Sequence, residues 1–168
     1  VNQFKEIKAE QLKGNPFRMI GKEWMLVTAK NEEKVNTMTA SWGGLGVMWN
    51  KDVAFVVLRP SRYTKEFVDN GEVFTLSFYD SAYKKALGYL GSVSGRDEDK
   101  IAKSGLTLKT MENASFFEEA NTVFICRKLF YQPFKENNFV DTSLIPNYYP
   151  EKDFHTLYIA EITKILVK

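Results

Sequence analysis

Four stretches of this chain, DVAFVVL, EVFTLSFYD, ANTVFICRKLFYQPF and FHTLYIAEITKILVK, are dense in Val, Ile, Phe, Tyr and Thr. Such residues fit a pleated, half-buried surface, and runs of this kind bounded by turn residues read as strands. EVFTLSFYD places Phe74, Leu76 and Phe78 on one face, whereas DVAFVVL is apolar without interruption, as expected of a strand covered on both faces. With thirteen Phe and eight Tyr the composition also favours sheets over a coiled coil.

The rest of the chain fits around those strands. EWMLVTA and VNTMTAS flank the charged turn KNEEK, so residues 24–41 read as a β-hairpin with a longer loop. NPFRMIGKEW opens on an Asn-Pro turn signal and leads into a short helical turn. TKEFVDNG is a short helix with Thr64 at its N-cap and Gly71 at its end. SAYKKALGYLGSVSG starts helical and decays into Gly and Ser, and RDEDKIAKSG is a polar helical turn. LTLKTMEN is a strand, and KENNFVDTSLIPNYYPEKD is a loop or short helix before the last strand. Six or seven strands with a few short helices predict a mainly β, predominantly antiparallel barrel with helical insertions. The 168 residues, 44% of them hydrophobic, suit a single domain over residues 1–168 with a sizeable core.

Several function classes are disfavoured. The net charge is only +2 with acids and bases interspersed, so no nucleic-acid groove or polybasic membrane patch is expected, and any anion site must be local. One Cys and one His leave no disulfide and no Cys/His metal set. Cys126, in the apolar TVFICRKL, reads as a buried structural thiol. There is no GxGxxG after a first strand. No apolar run approaches the length of a membrane span and VNQFKEIKAE does not read as a signal peptide, so a cytoplasmic protein is the expectation.

Two segments carry chemistry. In RPSRYTKEF, Arg59, Ser61, Arg62 and Thr64 cluster where a strand gives way to a helix. Unpaired N–H groups at a helix start attract phosphate, and Arg adds a planar fork for its oxygens. The same residues also read as two solvated arginines beside a capping Thr. In NTMTASWGG, the strand end offers backbone groups and hydroxyls to the polar edge of a flat heterocycle, with Ala40, Gly43 and Gly44 small enough to let a ring approach. Its plainer reading has Met38 and Ala40 inward, Thr37, Thr39 and Ser41 outward, the glycines in a turn, and Trp42 as a core or interface anchor. Taken together, the two segments match a ligand with a flat ring at one end and a phosphate at the other.

The ordered series NTMTASW, VAFVVLRPSRYTKEFVDNGEVFTLSF, SGRDEDK and FHTLYIAEI resembles the flavin reductase-like, FMN-binding split-barrel family, close to its flavoredoxin-type members, over roughly residues 15–165. The resemblance implies a six-stranded antiparallel Greek-key split barrel and a homodimer with FMN near the interface. It implies that Asn36, Thr39, Ala40, Ser41 and Trp42 contact the isoalloxazine, and that Arg59, Ser61, Arg62, Tyr63 and Thr64 surround the phosphate. Ser94 and Lys100 fall in a loop near the flavin. His155 matches a residue on the nicotinamide side in NAD(P)H-dependent relatives, although Phe154 stands where Asp is common, and a structural His at a strand start fits equally. The implied activity is oxidoreduction through flavin N5, with NADH or NADPH as reductant and a small molecule or partner protein as electron acceptor, and with no side chain acting as acid or base. A flavin-binding or sensing protein without turnover is the alternative, and an unrelated barrel without flavin a third. The aromatics Phe116, Phe117, Phe130, Tyr131, Tyr148 and Tyr149 read mostly as core, with the Tyr pair also placed to line a substrate mouth. Leu90 and Gly91 stand where flavoredoxin-like relatives often carry a Cys, so no thiol step is expected.

Overall fold

The computed structural model describes residues 3–168. Its main sheet has eight strands, all antiparallel to their neighbours. The strands are β1 (Lys5–Ile7), β2 (Met25–Asn31), β3 (Lys34–Ala40), β4 (Gly43–Met48), β5 (Lys51–Leu58), β6 (Val73–Phe78), β9 (Thr122–Pro133) and β10 (Thr156–Val167). Between β6 and β9 a separate two-stranded ribbon pairs β7 (Leu108–Met111) with β8 (Ala114–Phe117). In the main sheet the order is β3-β2-β6-β9-β10-β5-β4, with β1 added beside β10. The expectation of a mainly β antiparallel barrel holds, with more strands than were read from the sequence.

Five short helices decorate the sheet: α1 (Pro16–Arg18), α2 (Tyr63–Asn70), α3 (Lys84–Ser92), α4 (Lys100–Ser104) and α5 (Leu144–Tyr148). The Asn15-Pro16 signal works as read: the Asn15 side chain accepts from the N–H groups of Phe17 and Arg18, with Pro16 at the first helical position. Helix α2 starts differently. Its N-cap is Arg62, without a side-chain cap, and Thr64 lies inside the first turn rather than at the cap.

The barrel interior is filled by Met25, Val27, Met38, Val56, Leu58, Phe74, Leu76, Phe78, Phe124 and Tyr158. Phe74, Leu76 and Phe78 share one face as their alternation requires. A second cluster, including Leu26, Leu87, Leu90, Phe116, Phe117, Val123 and Ile125, packs helix α3 and the ribbon on the outside. Polar residues buried between them are bonded: Thr28 and Thr37 share a hydroxyl contact of 2.9 Å, and Thr75 donates to the Ser115 carbonyl at 2.7 Å. Thr37 is therefore buried, not outward-facing and solvated.

Three other readings need correction. The β2–β3 connection is a tight turn at Glu32-Glu33, because pairing persists to Asn31 opposite Lys34. Strand β5 is covered on one face only. Ala54, Val56 and Leu58 point into the barrel, whereas Phe55 is 40% exposed and faces open grooves rather than packed core. Phe130 and Tyr131 are likewise exposed on β9 instead of joining the core.

The glycines after Trp42 do not form a turn. They begin β4, and a Cβ on Gly43 or Gly44 would come within 2.4 Å of Phe55, its carbonyl oxygen in one case and its ring in the other. The space they leave is taken by Phe55 of the same chain. Strand β3 pairs only with β2, and β4 only with β5, so these two strands are the ends of the main strand order. Ser41 and Trp42 cross from one edge to the other. The split in the barrel lies there, and so does the site.

Candidate functional site

Where β3 ends at the split, Met38, Thr39, Ala40, Ser41 and Trp42 form one wall of a cavity of about 200 Å³, and Val57, Arg59, Arg62 and His155 form the other. The two segments singled out in the sequence thus share one cavity. Trp42 also borders an apolar groove of about 330 Å³ with Phe55, Val57, Leu144, Tyr148 and Leu157, and a third hollow of about 500 Å³ beside Phe17 and Ile20.

The two arginines reach this cavity in different states. Arg59 is tied down: its Nη1 donates to the Asp153 carboxylate at 2.9 Å and its Nη2 to the Tyr148 carbonyl at 2.9 Å. Its guanidinium packs on the Tyr149 ring, 4.9 Å from the centroid. Arg62 donates one hydrogen bond, to the Gly91 carbonyl at 3.0 Å, and has no carboxylate partner among the described residues. Burial lowers its pKa from the ordinary Arg value.

Lys100, from the first turn of α4, lies near Arg62. It is 3% exposed and donates to the carbonyls of Leu90 at 2.9 Å and Val93 at 2.8 Å. Burial first, and then the nearby Arg62 charge, push its pKa down to about 8. Two half-buried or buried cations thus converge on the last turn of α3, where its free carbonyls hold them but do not neutralise them.

Of the remaining sequence candidates, Asn36, Ser61, Tyr63, Thr64 and Ser94 lie around this cavity rather than in its wall. Asn36 and Thr64 are buried and bonded to each other, Nδ2 to Oγ1 at 2.9 Å, which fixes α2 against β3. Thr39 does border the cavity, and its hydroxyl donates to the Leu87 carbonyl at 2.5 Å. Ser61 is exposed, and its carbonyl accepts from Arg96. Tyr63 turns outward, its hydroxyl accepting from Lys34 at 3.0 Å and its ring lying under Arg96. Ser94 accepts from the Arg96 N–H within its own loop at 3.2 Å. That loop lies tightly against β3, since a Cβ on Gly95 would meet the Asn36 side chain at 2.2 Å.

His155 borders the cavity beside Trp42, their rings 5.2 Å apart. Its Nδ1 lies 2.6 Å from the Tyr149 hydroxyl. Tyr149 is buried, whereas Tyr148 is 46% exposed and meets Trp42 edge-on. Sequence reasoning missed the roles of Tyr149 and Asp153. Both lie in the irregular segment 134–155, whose contacts with Arg59 span some ninety residues and whose Tyr149–His155 contact falls in a stretch without regular periodicity, so neither leaves a local pattern. Cys126 is fully buried in β9, and burial pushes its thiol pKa up, as expected of an inert core residue.

Residues 17–168 match the model of the flavin reductase like domain. The chain belongs to this family. Structural comparison agrees: an FMN-binding domain of a flavin reductase-like enzyme from Shewanella baltica superposes with a TM-score of 0.72 at 19% identity, covering 99% of this chain and 78% of that one. Flavoredoxin from Methanosarcina acetivorans gives 0.66 at 23% identity, over 95% of this chain and 76% of its own. The styrene monooxygenase flavin reductase of Pseudomonas putida gives 0.61 at 15%, over 85% and 77%. Among functionally curated proteins no significant sequence match is found. The flavin reductase-like split barrel accounts for the architecture, and the Shewanella baltica neighbour is itself an FMN-binding domain. Among the described residues no helix is long and apolar enough to cross a membrane.

The residues present fit a phosphorylated flavin. Arg62 has guanidinium donors left over after its bond to Gly91, α2 begins without a side-chain cap, and Lys100 adds buried positive charge. At the other end of the cavity, the edge of β3 and the indole of Trp42 offer backbone polar groups and a flat apolar surface.

Proposed function

We propose that this protein binds FMN and is a flavin-dependent oxidoreductase, reduced by NADH or NADPH and passing electrons to a small-molecule or protein acceptor. One observation carries the reading: the split-barrel edge and the uncapped start of α2 line a single cavity, with Arg62 in its wall, Lys100 behind Arg62, and no ion pair to either among the described residues. An anionic ligand stabilises such a pair, whereas leaving it empty costs desolvation.

In this assignment Arg62 and the first N–H groups of α2 hold the phosphate, and Lys100 lends charge through the α3 end. Thr39, Ala40, Ser41 and Trp42 orient the ring, and Asn36 and Thr64 keep β3 and α2 in register with each other. When bound, FMN supplies hydride-accepting chemistry that no side chain of the chain can supply. Arg59 serves the site indirectly, by fastening segment 134–155 over one end of the cavity.

A cavity of about 200 Å³ is smaller than the roughly 300–1,000 Å³ usual for enclosed ligands. One chain therefore encloses FMN only in part. Phe55, Val47, Trp49 and Phe130 leave an uncovered apolar surface along the β4–β5 hairpin and β9, which Phe55 continues to the groove at Trp42, and this supports a homodimer whose second copy completes the pocket. A cytoplasmic setting goes with this reading.

The test is absorption spectroscopy of the purified protein with FMN, before and after NADH or NADPH under argon. Binding with rapid bleaching of the flavin band supports the oxidoreductase. Binding without bleaching supports a non-enzymatic flavin-binding protein, and a colourless protein that ignores FMN rejects the assignment altogether.

A further inference from the structure

His155 is only 7% exposed, yet just one of its ring nitrogens is accounted for within the chain. Nδ1 meets the Tyr149 hydroxyl at 2.6 Å. Nε2 has no hydrogen-bond partner among the described residues, and the buried side-chain polar atom left unpartnered there is the Tyr89 hydroxyl. Nε2 must therefore reach open space. The open space that His155 borders is the cavity shared with Thr39, Trp42, Arg59 and Arg62.

The position of the imidazole proton follows from hydrogen-bond counting. Were Nδ1 protonated, it would donate to the Tyr149 oxygen, and the phenolic hydrogen would need a second acceptor. Among the described residues the Tyr149 hydroxyl has none besides His155. If Tyr149 donates to Nδ1, both groups are satisfied and the single imidazole hydrogen sits on Nε2.

The surrounding charges agree. From the end of β5, Arg59 faces this corner, while segment 134–155 contributes Tyr149 and Asp153. The Asp153 carboxylate is already engaged by Arg59 at 2.9 Å. Burial, and secondarily the Arg59 charge, lower the His155 pKa to about 4, with Asp153 opposing. A second cation is disfavoured here.

We propose that Tyr149 is a positioning residue that locks His155 as the neutral Nε2–H tautomer, so that the cavity meets an uncharged donor suited to a neutral carbonyl or carboxamide oxygen. The tautomer follows from the geometry of this corner alone. That the oxygen belongs to a substrate rests on the oxidoreductase reading.

The chain has one His, so imidazole ¹⁵N NMR reads this residue without ambiguity. The spectra are taken on purified protein without added flavin. In the wild type, Nε2 is expected in the protonated range and Nδ1 in the unprotonated range at pH 7, with no titration down to pH ~5. In Tyr149→Phe the two tautomers mix, while burial and the Arg59 charge still hold the titration below the ordinary imidazole range. Benzamide, a neutral carboxamide, is expected to shift Nε2 in the wild type and to shift it less in the variant. A protonated Nδ1 in the wild type, or identical spectra for wild type and Tyr149→Phe, overturns the tautomer lock. A response of Nε2 to benzoate and none to benzamide, or to neither probe, overturns the ligand class. FMN affinity is measured separately: its absence defeats the flavin assignment and leaves the tautomer result standing.

Discussion

Arg59 and Arg62 leave the same strand end and border the same cavity, yet their surroundings assign them opposite work. Arg59 is satisfied within the chain by a carboxylate, a carbonyl and an aromatic face, all contributed by segment 134–155. Arg62 has one carbonyl and a neighbouring cation. A satisfied Arg organises protein, and an unsatisfied one next to Lys100 organises a ligand. The residue type gives no warning of the difference. It is set by whether a carboxylate folds back onto the side chain, as Asp153 does for Arg59.

The comparison breaks most readily at Arg62. Arg62→Ala removes charge-assisted bonds of the kind worth about 1.5–3 kcal/mol each, so FMN affinity by fluorescence titration should fall by roughly ten- to a hundredfold. Arg59→Ala and His155→Ala should change it much less. Equal dissociation constants for wild type and Arg62→Ala would reject the phosphate assignment. A thermal melt separates this loss from any loosening of α3, whose Gly91 carbonyl Arg62 also holds.

Lys100 comes next. Its folded-state pKa of about 8 lies below the ordinary value of about 10.4. Wild-type FMN binding should therefore weaken as pH rises through about 8, because the cation beside the phosphate is then lost. Lys100→Met should bind roughly tenfold less tightly at pH 7 and show a flat profile from pH 7 to 9. A wild-type profile as flat as that of the variant would remove Lys100 from the site.

These two positions mark how far the sequence reached. The mainly β antiparallel class was legible because DVAFVVL, EVFTLSFYD and the two long C-terminal runs are all local β patterns, and the structure pairs them; the split came only with the family resemblance. β4 was not legible: GGLGVM has no alternation, and its glycines are explained by Phe55 of the next strand, which only the fold brings close. Within the site, NTMTASW and RPSR announced themselves through residue type near strand ends. The different fates of Asn36, Thr64 and Tyr63 could not be read the same way. Asn36 and Thr64 turn into each other and Tyr63 turns out to Lys34, and these pairings depend on how α2 is laid on β3. Lys100 was named only through the family resemblance, since its own pattern RDEDKIAKSG reads as a polar turn and gives no sign that it is buried.

A smaller effect is expected at the other arginine. Breaking the partly exposed Arg59–Asp153 pair with Asp153→Asn should cost about 1 kcal/mol or less. The change should appear as faster proteolysis within segment 134–155, with FMN affinity nearly unchanged. Loss of affinity as large as that in Arg62→Ala would mean that Arg59, too, faces the phosphate, and the contrast between the two would fail.

The smallest effect concerns the pH dependence of folding at the His155 corner. Its folded-state pKa of about 4 lies below the unfolded value of about 6.5. Between these values the unfolded chain binds more protons than the folded one, so stability must fall as pH drops through this window. Because the ring borders a solvent-accessible cavity, screening limits the loss between pH 7 and 5 to roughly 0.5–1 kcal/mol. Urea melts across that range measure it, with His155→Gln as the reference in which this contribution is gone. If wild type and His155→Gln lose stability in parallel, the imidazole is not held neutral. The Arg59 end of the cavity would then be as tolerant of positive charge as the Arg62 end, where the cations await an anion.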